Sequence, residues 1–153
     1  MSARDGAIVA WQDSYSVGME EIDAQHQALF STINRLWAVL VGGKEAPGEV
    51  LGLIEELERY TVAHFSAEET FMERAGYPGL AAHRALHAQF VQRIAAERQS
   101  ASQGRRLSLD LLHFLKDWLV EHILVQDQQY AAYCRENKAR SSGLSGLFKR
   151  FWA

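Results

Sequence analysis

Seven side chains carry the residue types and spacings of a metal site: His26, His64 with Glu68, His83 with His87, and His122 with Asp127. Imidazole nitrogen combined with carboxylate oxygen suits iron. Five imidazoles and two carboxylates are too many for one tetrahedral zinc ion. Two ions that share the two carboxylates as bridges would use every ligand. The Glu-x-x-His repeat of ferritin-like carboxylate sites occurs nowhere in the sequence. With Cys134 the single cysteine, thiolate ligation is not favoured.

Spacing decides which of these can act in pairs. His64 and Glu68 are four residues apart, as are His83 and His87. On a helix each pair stands about 40° apart and one turn along the axis, so both members can reach one ion. His122 and Asp127 are five apart, an angle of about 140°. Both can face inward only with help from a local distortion of the helix. A single histidine on an apolar stripe is more often a packed core residue than a ligand, so the combination carries the reading. His113 serves as a control: nine residues before His122, it is out of phase and should face away. Glu69 and Glu73 lie off the stripe and are expected in water. Trp118 is read as core.

The elements that must position these groups are helices. Ile22, His26, Leu29, Ile33, Leu36, Trp37 and Leu40 recur at three- and four-residue steps over about 20–41. A second stripe, Val50, Leu53, Ile54, Leu57, Thr61, His64, Glu68, Phe71 and Met72, spans about 47–75, with Pro47 suited to its first turn. Gly76-Tyr77-Pro78-Gly79 breaks the pattern. Helices over about 80–102 and 107–136 follow, carrying His83, His87, Phe90 and Ile94, then Leu111, Leu115, Leu119 and His122. Four long helices with short loops predict an all-α, up-down-up-down four-helix bundle. In that topology the metal-type residues of all four helices fall within roughly 5–20 Å of one end of the bundle. Residues 1–19 show no period and read as an arm laid over the body.

Composition excludes other classes. A chain of 153 residues is one domain by length, and its net charge of −3 gives no reason to expect nucleic acid. The N-terminus lacks the pattern of a signal peptide, and no run approaches the about 18 apolar residues of a membrane span. A cytoplasmic location is expected.

The motifs WQDSYSVGMEEIDAQHQALFSTIN (11–34), HFSAEETFM (64–72), YPGLAAHRALHAQF (77–90) and WLVEHILVQD (118–127) together resemble the hemerythrin family, and its single-domain bacterial members most closely. The resemblance covers roughly residues 11–135 and fills all seven ligand positions in order. It implies two non-haem iron ions with an oxo or hydroxo bridge and dioxygen as reversible ligand. His83, His87 and His122 would hold one ion, His26 and His64 the other, and Glu68 and Asp127 would bridge. Phe65, Leu119 and Ile123 would line a dry dioxygen pocket. The expected role is oxygen carriage, storage or delivery rather than enzymatic turnover. A sensor acting on a separate partner, or a di-iron oxidase or peroxidase, stands as the alternative. The histidine-rich ligand set argues against oxygenase chemistry, and no attached signalling domain is expected.

Two units are expected: a bundle over 1–137 and a tail over 138–153. In the tail Leu144, Leu147, Phe148, Phe151 and Trp152 share one helical face, with Lys149 and Arg150 opposite. Such a segment either folds back on the body or packs weakly against another copy, or it docks on a membrane surface or on a partner such as an oxygen-consuming enzyme.

Overall fold

The computed structural model describes residues 7–43 and 48–136. It holds α1 (Glu20–Gly42), α2 (Glu49–Ala75), α3 (Leu80–Ser102), α4 (Leu109–His122) and α5 (Gln128–Glu136). A π-helical turn, Ile123–Asp127, joins α4 to α5 without a break in the chain's helical path. α4, the π turn and α5 together make the fourth rod of a four-helix bundle, and the described residues contain no strand. None of the described helices is long and apolar enough to cross a membrane. Pro47 and the 138–153 tail lie outside the described residues, as does the expected boundary at residue 137.

Each helix buries the stripe its sequence marks. Ile22, Leu29, Ile33 and Leu36 of α1 meet Ile54, Leu57, Phe71 and Met72 of α2, Phe90 and Ile94 of α3, and Leu111, Leu112, Leu115 and Leu119 of α4 in one core. The connection that matters most for function is the turn between α2 and α3. Gly76 adopts the left-handed conformation at φ 70°, and the Tyr77 amide donates to the Met72 carbonyl at 2.9 Å. This closes α2 with a glycine C-cap and sends the chain directly into α3. Glu68 and His83, fifteen residues apart, thereby return to the same end of the bundle.

The described part of the arm, residues 7–19, is held by polar clasps as well as by packing. Asn34 of α1 accepts from the Ile8 and Val9 amides at 3.0 and 3.1 Å and donates to the Val9 carbonyl at 2.8 Å. Trp11 and Tyr15 close on Phe30 with ring centroids 5.9 and 5.6 Å away. Asp23 accepts from the Val17 amide at 2.9 Å, and Gln128 and Arg135 donate to the Ser16 and Val17 carbonyls. The arm is thus stitched across α1 and the fourth rod.

Candidate metal centre

All seven sequence-marked residues meet inside the bundle, each at most 2% exposed. They form two groups whose ligand-type atoms lie within 4.8 Å of one another. The first is His83, His87, His122 and Asp127; the second is His26, His64 and Glu68. Asp127 stands between the groups. Its Oδ1 lies 3.1 Å from His83 Nε2 and 3.3 Å from His122 Nε2, while Oδ2 lies 3.2 Å from His26 Nε2. Glu68 also faces both, with Oε1 at 3.1 Å from His64 Nε2 and 3.6 Å from His87 Nε2.

The π turn explains how His122 and Asp127 share a face. Its i→i+5 bonding accommodates one more residue per turn than an α-helix, so side chains five apart come into line. The distortion expected from sequence falls on Ile123–Asp127, the segment that carries Asp127 inward.

The donor set fits a pair of cations better than it fits itself. Both nitrogens of His26, Nε2 of His83, Oε1 of Glu68 and both Asp127 oxygens are shielded from solvent and make no properly directed hydrogen bond. Orphaned buried polar atoms are costly, and one such atom from each of these four residues belongs to the two ligand groups. His87 Nε2 and His122 Nε2 face each other at 3.0 Å. Because His87 Nδ1 lies 2.8 Å from the Glu69 carboxylate, which can only accept, its proton sits on Nδ1 and Nε2 presents a lone pair.

Known proteins share this geometry's sequence and fold. The family model for the hemerythrin HHE cation-binding domain matches residues 17–134. A bacteriohemerythrin from Stenotrophomonas maltophilia is 39% identical over 95% of this chain and 99% of its own length. The chain belongs to the hemerythrin family. A myohemerythrin from Riftia pachyptila shares 32% identity over 78% of this chain and 88% of its own. The crystal structure of a wild-type hemerythrin superimposes with a TM-score of 0.76 at 30% identity, covering 82% of this chain and 97% of that one.

Around the seven residues the chain places a supporting shell that its sequence only partly foreshadows. Gln25 Oε1 lies 2.5 Å from His64 Nδ1 and so turns the His64 lone pair at Nε2 toward Glu68 and the second group. Tyr130, fully buried, donates its hydroxyl to Glu68 Oε2. Glu69, expected in water, instead accepts from His87 Nδ1 and from Arg84 at 3.1 Å. The stripe argument placed it outside the core, and it is outside; its length lets the carboxylate reach across to α3 all the same. Trp118, read as core, is half-buried and stacks on His122 with centroids 4.6 Å apart and planes at 16°. Phe65 stacks on His87 at 3.7 Å and 3°. Leu119 and Ile123 are buried on the rod that carries His122. His113 is exposed, its ring against Trp37, as its phase requires. A carboxylate that braces a histidine can be sought at one residue beyond a helical Glu or His of the site, but Tyr130 gave no sign in sequence, because a tyrosine on a core stripe is ordinarily packing.

Outer hydrogen bonds of this kind typically tune metal affinity by about 10–100-fold. Glu69→Gln keeps the shape while removing the charge behind His87. It should weaken metal retention by about tenfold or more in chelator competition. Equal retention by Glu69→Gln and the parent chain would deny Glu69 that role.

Electrostatics set the protonation of the metal-free site. Burial and the Asp127 charge push the Glu68 carboxyl up, but the His64 and His87 imidazoles outweigh them and leave it at about 2. Burial also opposes charge on Asp127, yet His122, His26 and His83 hold it well below the usual carboxylate range. Reciprocally, His26 and His122 are raised despite burial, because Asp127 and Glu68 face them. His87 goes the other way, lowered first by burial. A depressed carboxyl contributes stability above its unfolded value of 4.5 and loses it as pH falls toward about 2. A raised imidazole contributes below its unfolded value of 6.5 and loses that contribution as pH rises through its folded value. The metal-free chain should therefore be most stable on the acid side of neutrality, between about pH 4.5 and 6.5. Urea midpoints measured from pH 2 to 8 check this, and a maximum above pH 7 would contradict it.

Proposed function

We propose that this chain binds two iron ions and takes up dioxygen reversibly, serving carriage, storage or delivery rather than turnover. The observation that carries the reading is the unequal pair of ligand groups with Asp127 between them, one carboxylate oxygen toward each. On this reading His83, His87 and His122 would hold one ion and His26 and His64 the other, with Asp127 and Glu68 available to both. The two-histidine group leaves room for a small ligand. When bound, a pair of iron ions would provide the two-electron redox chemistry that reversible dioxygen uptake requires.

The chain's own part is to keep that exchange reversible. Gln25 and Glu69 fix the tautomers of His64 and His87 and orient their rings. Tyr130 fixes the plane of the Glu68 carboxylate. Phe65, with Leu119 and Ile123, forms an apolar wall that excludes water and limits proton entry, which would otherwise favour loss of the ligand in reduced form. Five imidazoles with only two carboxylates favour binding over oxygenation.

Metal analysis combined with visible spectra tests the proposal. About two irons per chain should be found, and the reduced protein should gain a visible band on exposure to oxygen and lose it on removal. A single zinc per chain, or a spectrum indifferent to oxygen, would overturn it.

A further inference from the structure

The π turn that aims Asp127 inward has a consequence on the opposite face. Between His122 and Asp127, Ile123 stays buried while Leu124 and Val125 turn outward, 42% and 43% exposed. They account for two of the five exposed large apolar side chains among the described residues, and they are adjacent. Both lie in a groove of about 450 Å³ between the arm and the fourth rod. Ile8, Val9 and Val120 continue its apolar floor, and Asp117 and Glu121 give it an acidic rim. Asp117 already pairs with Lys116 at 2.7 Å, which leaves Glu121 as the acid not neutralised by that lysine.

We propose that this groove is the docking site of the chain's own C-terminal segment, residues 144–152. The segment's apolar face, Leu144, Leu147, Phe148, Phe151 and Trp152, matches the apolar floor, and Lys149 and Arg150 on its other side suit the acidic rim. Lengths agree as well. From Lys116 to Val125 the groove runs about 14 Å along the rod, and a helix over 144–152 is about 12 Å long. The last described residue, Glu136, lies eleven residues beyond Val125, or about 16 Å along the rod. The seven intervening residues 137–143, rich in small and polar types, can extend about 25 Å and so bring Leu144 back to the groove. Docking would cover the two apolar residues that the metal-directed distortion leaves in water.

Trypsin provides the test, because the tail carries Lys138 and Arg140 before the docking segment and Lys149 and Arg150 within it. The full chain, as isolated with its metal, is digested beside the Leu124→Asp/Val125→Asp variant and the Glu121→Lys variant. Circular dichroism and iron content confirm that each variant folds. Cleavage after Lys149 and Arg150 should be at least about tenfold slower in the parent than in the double variant, with Glu121→Lys in between, since cleavage follows the undocked population. Cleavage after Lys138 and Arg140 should differ little. Protection that grows with protein concentration would replace the proposal with a second copy as occupant. Protection seen only with phosphatidylserine vesicles would assign the tail to a membrane surface. Equal cleavage in all three chains would remove the docked state altogether.

Discussion

If the site holds two iron ions as proposed, Asp127→Ala is expected to abolish retention of both, the largest loss from any single substitution there. Asp127 is the residue whose two oxygens face different groups, Oδ1 toward His83 and His122 and Oδ2 toward His26. Removing it leaves each group short of a charged ligand and removes the counter-charge that the surrounding imidazoles share. A buried set of imidazoles facing a dication with too few anions carries a heavy desolvation cost. Loss of a terminal ligand is milder: His83→Ala should release one ion first. His113→Ala, exposed against Trp37, should spare both. Iron per chain after anaerobic loading and desalting reads all three. Two ions retained by Asp127→Ala would sink the bridging assignment, while a loss in His113→Ala of the same size would mean that iron binds elsewhere.

The second large effect is on stability. Six buried polar atoms of His26, His83, Glu68 and Asp127 lack proper hydrogen bonds in the metal-free arrangement. Each such atom detracts from stability until a partner arrives. A ligand that binds only the folded state adds about 4 kcal/mol at a thousandfold excess over its dissociation constant. For a chain of this size that corresponds to roughly 10 °C in the melting midpoint. Stripping iron with a chelator should therefore lower the midpoint by about 10 °C or more. Identical melting of loaded and stripped protein would show that the cluster is satisfied without metal. The same competition between protons and metal for the imidazoles means that acidification below about pH 6 should promote release.

How much of this was legible beforehand follows from the kind of information each feature needs. Helix boundaries were close: expected starts near 20 and 80 match Glu20 and Leu80, because Gly and Pro breaks and apolar periods are local properties. The convergence of the seven metal-type residues was legible for the same reason, since polar residues that continue an apolar stripe must point inward wherever the bundle closes. The supporting residues were not. Glu69 lies off the stripe and reaches His87 only because α3 packs against α2 at that height. Gln25 sits next to His26, and which histidine it would hold depends on the approach of α2 to α1.

Sequence by itself determined that this chain is a four-helix bundle with seven metal-type residues at one level, because period, spacing and turn chemistry are written along the chain. Tertiary structure alone decided three things. It fixed the form and place of the distortion that the His122–Asp127 spacing calls for, a π turn over Ile123–Asp127, since only the packed rod shows whether the two residues share a face. It assigned Asp127 one oxygen to each group, which depends on distances between helices far apart in sequence. It also set the tautomers of His64 and His87 through Gln25 and Glu69, because a proton's place on an imidazole is fixed by what the other nitrogen meets in three dimensions.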